Sequence, residues 1–178
     1  MLATIGYRGT QHLSATRAAL QTQCWTWHWL PFDTVWLVPY LSMFGLMVLP
    51  WFLLPLNSLR RFSLAILGPA ACAWATFLVY PTACVRPNPA SLPAIYQAFV
   101  FLDGPNNCLP CLHATFVVVP AWFLAAETRP FRTARSRALL IVWVFVILLS
   151  IVALRQHTDI DMLVGVLLGI GAVVLTRP

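Results

Sequence analysis

The chain has 178 residues, 60% of them hydrophobic and 9% charged, with a net charge of +6 and a mean hydropathy of +0.80. A soluble domain carries about a quarter charged residues, so this composition excludes a soluble enzyme and points to one membrane-embedded unit. Every basic side chain is an arginine, and there are 11. They sit in short gaps between apolar runs, where they orient a protein in the bilayer rather than grip nucleic acid.

Residues 1–33 form a mixed segment with Arg8, His12, Arg17, His28 and Asp33. Ala15 to Leu20 has the composition for one or two helical turns. The tryptophans between Cys24 and Trp29 belong where hydrocarbon meets headgroups, so the segment is expected to lie along the interface. It lacks the basic region followed directly by an apolar core that marks a secretory signal. His12 and His28 are read as surface or interfacial residues.

Residues 34–178 are expected to form an all-α polytopic membrane helix bundle of about five transmembrane helices. A span needs about 20 apolar residues. The first runs from Thr34 to Pro55, and the second from Phe62 to Tyr80 after a short turn, Leu56 to Arg61. Pro81 to Pro110 is proline-rich and holds Arg86 and Asp103; it reads as an ordered, folded-back cap whose apolar patch, Ile95 to Leu102, is too short to span. Long loops in a compact protein are commonly functional. The third span, Leu112 to Ala126, is short. A basic turn with Arg129, Arg132, Arg135 and Arg137 leads to the fourth span, Ala138 to Leu154, and the fifth covers Ile160 to Leu175. Gly165 and Gly169 form a G-x-x-x-G that permits close helix packing.

Cys72 falls inside an apolar run and reads as a packed core thiol. Cys108 and Cys111 make a C-x-x-C, but neither a second pair nor a thioredoxin-like pattern accompanies it, so neither metal nor cofactor is expected. An extracytoplasmic location would permit a disulfide involving Cys84, Cys108 or Cys111.

Five alternating spans bring the Arg86 loop, His113 and the His157 turn to one face. The other face receives seven of the 11 arginines (Arg60, Arg61, Arg129, Arg132, Arg135, Arg137 and Arg177), which places it and the C-terminus in the cytoplasm. The first face therefore looks into the periplasm or lumen of an inner or plasma membrane. It also holds four of the five acids. Ionisable residues at a membrane junction are expensive, and Arg155, His157, Asp159 and Asp161 crowd one such junction.

These residue types suit phosphoryl transfer, which needs a nucleophile, an acid for the leaving oxygen and cations around the equatorial oxygens. A histidine serves as nucleophile when a carboxylate fixes its tautomer. His157 and Asp161 are four apart, so one helical turn would align them, with Asp161 orienting the nucleophile His157. His113 would protonate the departing alkoxide at a helix start that itself favours phosphate. Arg86 and Arg155 would clamp phosphoryl oxygens, while Asn107 would bond the phosphate or brace the loop.

Three segments carry these residues: Tyr80 to Pro87, Asp103 to His113 and Arg155 to Asp161. Together they resemble the type 2 phosphatidic acid phosphatase (PAP2) superfamily, most closely the branch of inositol phosphorylceramide synthases and their bacterial relatives. That branch reads Pro-Ser-Leu-His in the second motif and Gln-His-x-x-x-Asp in the third. The likeness covers about Pro31 to Gly169 and includes Pro39 to Ser42. Val79 stands where the classical first motif has lysine, Cys111 where serine precedes Leu-His, and Ile151 where the third motif has arginine. A thiol donates more weakly to phosphate than a hydroxyl. The resemblance implies an integral-membrane, metal-independent phosphatase working through a phosphohistidine on a phospholipid or polyprenyl phosphate. Two alternatives stand beside it: a phosphotransferase that passes a phospho-headgroup to a lipid or sugar hydroxyl, and a non-catalytic lipid-binding protein.

Overall fold

Hydrocarbon offers backbone N–H and C=O groups no partners, so apolar runs of this length satisfy them internally as helices. A computed structural model describes residues 9, 19–21, 24–88 and 92–177. Among these are six α-helices: α1 Leu37–Leu53, α2 Leu56–Val79, α3 Ala94–Leu102, α4 Leu112–Glu127, α5 Ala134–Ala153 and α6 Asp159–Thr176. A 3-10 turn, Thr34–Trp36, leads into α1; the Asp33 carboxylate caps it by accepting from the Val35 N–H at 2.9 Å. The all-α bundle expected from the sequence is what forms.

Among the described residues, four helices are long and apolar enough to cross a membrane: α1 with its leading turn, α2, α5 and α6. The third expected span is α4, whose 16 residues measure about 24 Å. It sits in the middle, against α1, α2, α5 and α6, so protein rather than lipid surrounds most of it. Its buried side chains Ala114, Val117, Ala121 and Leu124 join Tyr40, Met43, Ile147 and Ile151 in the main core. The outward faces of α1, α5 and α6 keep large apolar side chains exposed, Phe52, Phe145 and Leu167 among them, as a lipid-facing surface requires.

Three expectations are corrected. Leu56 to Arg61 is the first part of α2 and not a turn, with Pro55 as its N-cap; helix polar groups are tolerated at a membrane edge, and Arg61 pairs with Glu127 at 2.9 Å. Cys72 is exposed on α2 rather than packed in the core. Leu20 is in a strand, β1 Leu20–Gln21, which pairs in parallel with β2 Thr82–Ala83; residues 15–18 of the expected helical turns lie outside the described residues, as do Arg8, His12 and Arg17.

The proline-rich connection does fold back. Its helix α3 buries Tyr96, whose hydroxyl donates to the Leu154 carbonyl at 2.9 Å. Phe32 stands edge-on to Tyr96 at 5.1 Å and Tyr40 edge-on to Phe99 at 4.8 Å. The cap is thereby tied to the α5–α6 turn and to α1. The small residues of α6 allow its close approach to α4: a β-carbon on Gly165 would lie 2.9 Å from the Cys111 carbonyl carbon, and one on Gly169 would lie 3.2 Å from Val118 Cβ.

Candidate active site

Buried polar side chains concentrate at one end of the bundle: Thr82, Asp103, Asn107, Gln156, His157, Thr158 and Asp161. Three chain features bring them there. The first is the end of α5, where the Arg155 and Gln156 N–H groups return to the Val152 and Ile151 carbonyls at 3.0 and 3.1 Å. Arg155 takes the left-handed conformation, φ 58°, at a cost of about 1–2 kcal/mol for a residue with a β-carbon. That reversal turns the next two residues, Gln156 and His157, into the protein.

The second is the start of α6. Thr158 is its N-cap, in a reciprocal capping box with Asp161. The Asp161 carboxylate accepts from the Thr158 N–H and hydroxyl, both at 2.8 Å. His157 therefore precedes the helix, and the one-turn alignment with Asp161 expected from their spacing does not apply. The bond at His157 Nδ1 runs to the Cys108 carbonyl, 3.0 Å away. Asp161 instead braces the turn from which His157 projects.

The third is the start of α4. Cys111 is its N-cap, and its sulfur accepts from the Ala114 N–H at 3.4 Å. The Cys111 N–H donates to the Asp161 carbonyl at 3.0 Å, locking the starts of α4 and α6 together. Thr115 adds a bond from its hydroxyl to the Gly165 carbonyl at 2.7 Å. The result is that His113 Nδ1 lies 2.9 Å from His157 Nε2.

A carbonyl can only accept, so the Cys108 contact fixes the proton of His157 on Nδ1. Its Nε2 then carries a lone pair, and His113 Nδ1 donates to it when both rings are neutral. Burial first, then the neighbouring His113 ring, hold His157 down to about 3. It is a neutral, oriented base. Burial likewise pushes the Cys84, Cys108 and Cys111 thiols upward, Cys84 to about 12, and all three are free thiols here, not disulfide partners.

Asp103 is the carboxylate that faces this pair, with Oδ2 3.9 Å from His113 Nε2 and 3.8 Å from Arg86 Nη2. Arg86 also donates to the Asp103 carbonyl. The sequence placed Asp103 in the second segment without a role; its signal was being the sole acid of the proline-rich connection. Asn107 is buried with φ 64°, a left-handed conformation that asparagine tolerates. The Cys108 carbonyl leaves no trace in a sequence.

A profile of the PAP2 superfamily matches residues 61–178. The chain belongs to the PAP2 superfamily. No curated protein and no solved structure matches it. Arg86, His113 and His157 all fall within the PAP2 match, and membership supports an activity of the phosphatase or phosphotransferase type on lipid phosphate in an integral membrane protein.

One candidate phosphate clamp of this PAP2 chain stands elsewhere than expected. Arg155, read as a second phosphate clamp, donates to the Leu30 carbonyl at 2.9 Å and the Trp27 carbonyl at 3.4 Å, with its guanidinium 4.9 Å over the Trp27 ring. Asp159, in the same crowded junction, accepts from the Trp25 and Thr26 N–H groups at 2.7 and 3.1 Å and from the Thr26 hydroxyl at 2.6 Å. Both side chains fasten the N-terminal segment to the His157 turn.

Proposed function

We propose that this protein is a lipid phosphatase that hydrolyses a phosphate monoester or diphosphate at the membrane surface through a phosphohistidine. The observation that supports it most is the opposed imidazole pair, 2.9 Å apart, with its proton register set by the Cys108 carbonyl. The His157 Nε2 lone pair attacks phosphorus, and the bond from phosphorus to the lipid oxygen breaks. His113, protonated beside the bound phosphoryl charge, gives its Nδ1 proton to that oxygen. It keeps the Nε2 proton, which faces Asp103. In the second half a water attacks the phosphohistidine, His113 Nδ1 takes the water's proton, and the N–P bond breaks to release inorganic phosphate.

Arg86 and the free N–H groups at the start of α4 would hold the phosphoryl oxygens. Asp103 positions both Arg86 and His113, and Asp161 acts through the turn it braces. The arginine distribution favours a site on the periplasmic or lumenal face with the C-terminus in the cytoplasm. Phosphatidic acid, a phosphatidylglycerol phosphate and a polyprenyl diphosphate are the substrate candidates.

The test is phosphate release from that panel by protein purified in detergent. His157→Ala and His113→Ala should each lower turnover by about 10²–10⁴-fold, the range for losing a positioned acid or base. Wild-type rates in both variants would remove the histidines from the chemistry. Release only on addition of an alcohol, with the phosphate retained in a new lipid, would make the protein a transferase instead.

A further inference from the structure

Among the described residues, two triads of metal-ligating side chains meet at the histidine pair: Cys111, His113 and His157, and Cys108, His157 and Asp161. In each the donor atoms lie mutually within 4.8 Å. The second triad is committed to other bonds. Asp161 Oδ2 serves Thr158 twice at 2.8 Å, the Cys108 thiol donates to the Pro105 carbonyl at 3.1 Å, and His157 Nδ1 faces the Cys108 carbonyl.

The first triad is arranged as a ligand set. The inner ring nitrogens oppose each other at 2.9 Å. Each outer nitrogen faces an oxygen acceptor, the Cys108 carbonyl at 3.0 Å and the Asp103 carboxylate at 3.9 Å. Outer acceptors of this kind fix the tautomer and orientation of metal-bound histidines. The Cys111 sulfur is buried at the head of α4, where it accepts from the Ala114 N–H, and lies within 4.8 Å of a nitrogen of each ring. Zinc binds histidine nitrogen at about 2.0–2.1 Å in a tetrahedron, which sets two nitrogens about 3.3 Å apart, so the rings need to part by only about 0.4 Å. Two imidazoles and one thiolate are a donor set that zinc favours.

We propose that His113, His157 and Cys111 form a binding site for zinc, with the fourth position left to water or a phosphoryl oxygen, and that the bound metal inhibits the enzyme. Three metal–ligand bonds form. The Cys111 thiol proton leaves to solvent, and the His113 Nδ1 proton moves to Nε2, opposite Asp103. Net proton release makes the affinity rise with pH. The metal occupies the Nε2 lone pair of His157, so attack on phosphorus stops. The inhibitory part rests on the function proposed above, whereas the binding part rests on the ligand geometry alone.

The experiment titrates the full chain in detergent with Co²⁺ as a spectroscopic probe, then displaces it with Zn²⁺. The expected result is one cobalt per chain, tetrahedral visible bands and a thiolate-to-cobalt charge-transfer band. Cys111→Ser should lose the charge-transfer band, while Cys108→Ser and Cys72→Ser keep it. Should Cys111→Ser fail to fold, retention of the band in each of Cys24→Ser, Cys72→Ser, Cys84→Ser and Cys108→Ser still assigns the thiolate by elimination, and His113→Asn must abolish binding. No band in the wild type, or its loss in Cys108→Ser, overturns the site. Lipid-phosphate turnover is followed in parallel. Saturating zinc should lower it by about 100-fold or more, because nucleophile and acid are both removed, and a chelator should restore it. Binding with unchanged turnover overturns the inhibition, and binding by a protein that hydrolyses no lipid phosphate overturns the proposed function but not the site.

Discussion

Gly165→Ala tests whether the contact between α4 and α6 is what holds the two histidines in register. The new methyl would lie 2.9 Å from the Cys111 carbonyl carbon and closer still to its oxygen. A relaxed carbon–carbon contact is about 3.5 Å or more, so the helices must part by at least about 0.6 Å. The obstacle is backbone and cannot rotate away. Parting the helices strains the Cys111 N–H bond to the Asp161 carbonyl, 3.0 Å, and the Thr115 bond to Gly165, 2.7 Å. Overpacking of this kind costs about 1–3 kcal/mol, or roughly 2–12 °C in melting temperature for a chain of this size. A misplacement approaching 1 Å at a reacting pair can lower turnover by about 10²-fold. The assay is phosphate release together with thermal melting in detergent. Gly171→Ala is the control, since a β-carbon there meets nothing within 4 Å, and it should match the wild type in both measurements. Wild-type turnover and melting in Gly165→Ala would refute the reasoning.

Three further outcomes are expected. His157 stays neutral in the folded protein until about pH 3, whereas it titrates near 6.5 when unfolded. Its contribution to stability is thus complete above about pH 6.5 and is lost as pH falls toward 3, because only the unfolded chain takes up the proton; melting temperature should drop across that window less steeply in His157→Gln, and equal slopes would contradict this. Asp159→Ala removes the acceptor for the Trp25 and Thr26 N–H groups at about 1.5–3 kcal/mol for a charged acceptor, so hydrogen exchange at those two amides should accelerate by at least about tenfold; unchanged protection would refute the anchor. Arg86→Lys replaces a planar fork by a point charge beside Asp103 and should lower turnover by about 10²–10³-fold, the effect of losing one preorganised donor, whereas full activity would place Arg86 outside the phosphate site.

Much of the fold was legible because the bilayer imposes a length and a polarity on every crossing segment. The helix starting at Leu56 was read too late, since Asn57, Ser58, Arg60 and Arg61 look like a turn until the membrane edge and Glu127 are there to receive them. The relation of His157 to Asp161 was misread for a local reason. A spacing of four aligns side chains only inside a helix, and Thr158, as N-cap, puts His157 outside it. The roles of Arg155 and Asp159 were hidden in a contact with Trp25, Trp27 and Leu30, more than a hundred residues away along the chain.

Composition and residue order by themselves determined that the chain enters a membrane, where its helices run, and which polar segments stand out from them. Those follow from transfer free energies and backbone hydrogen bonding, which act within one segment. Only the tertiary structure decided that His113 faces His157, that the Cys108 carbonyl bonds the far nitrogen of the His157 ring, and that Asp103 stands beside His113. These depend on where three chain ends meet, and a few ångströms between segments remote in sequence are set by packing at Gly165 and Cys111.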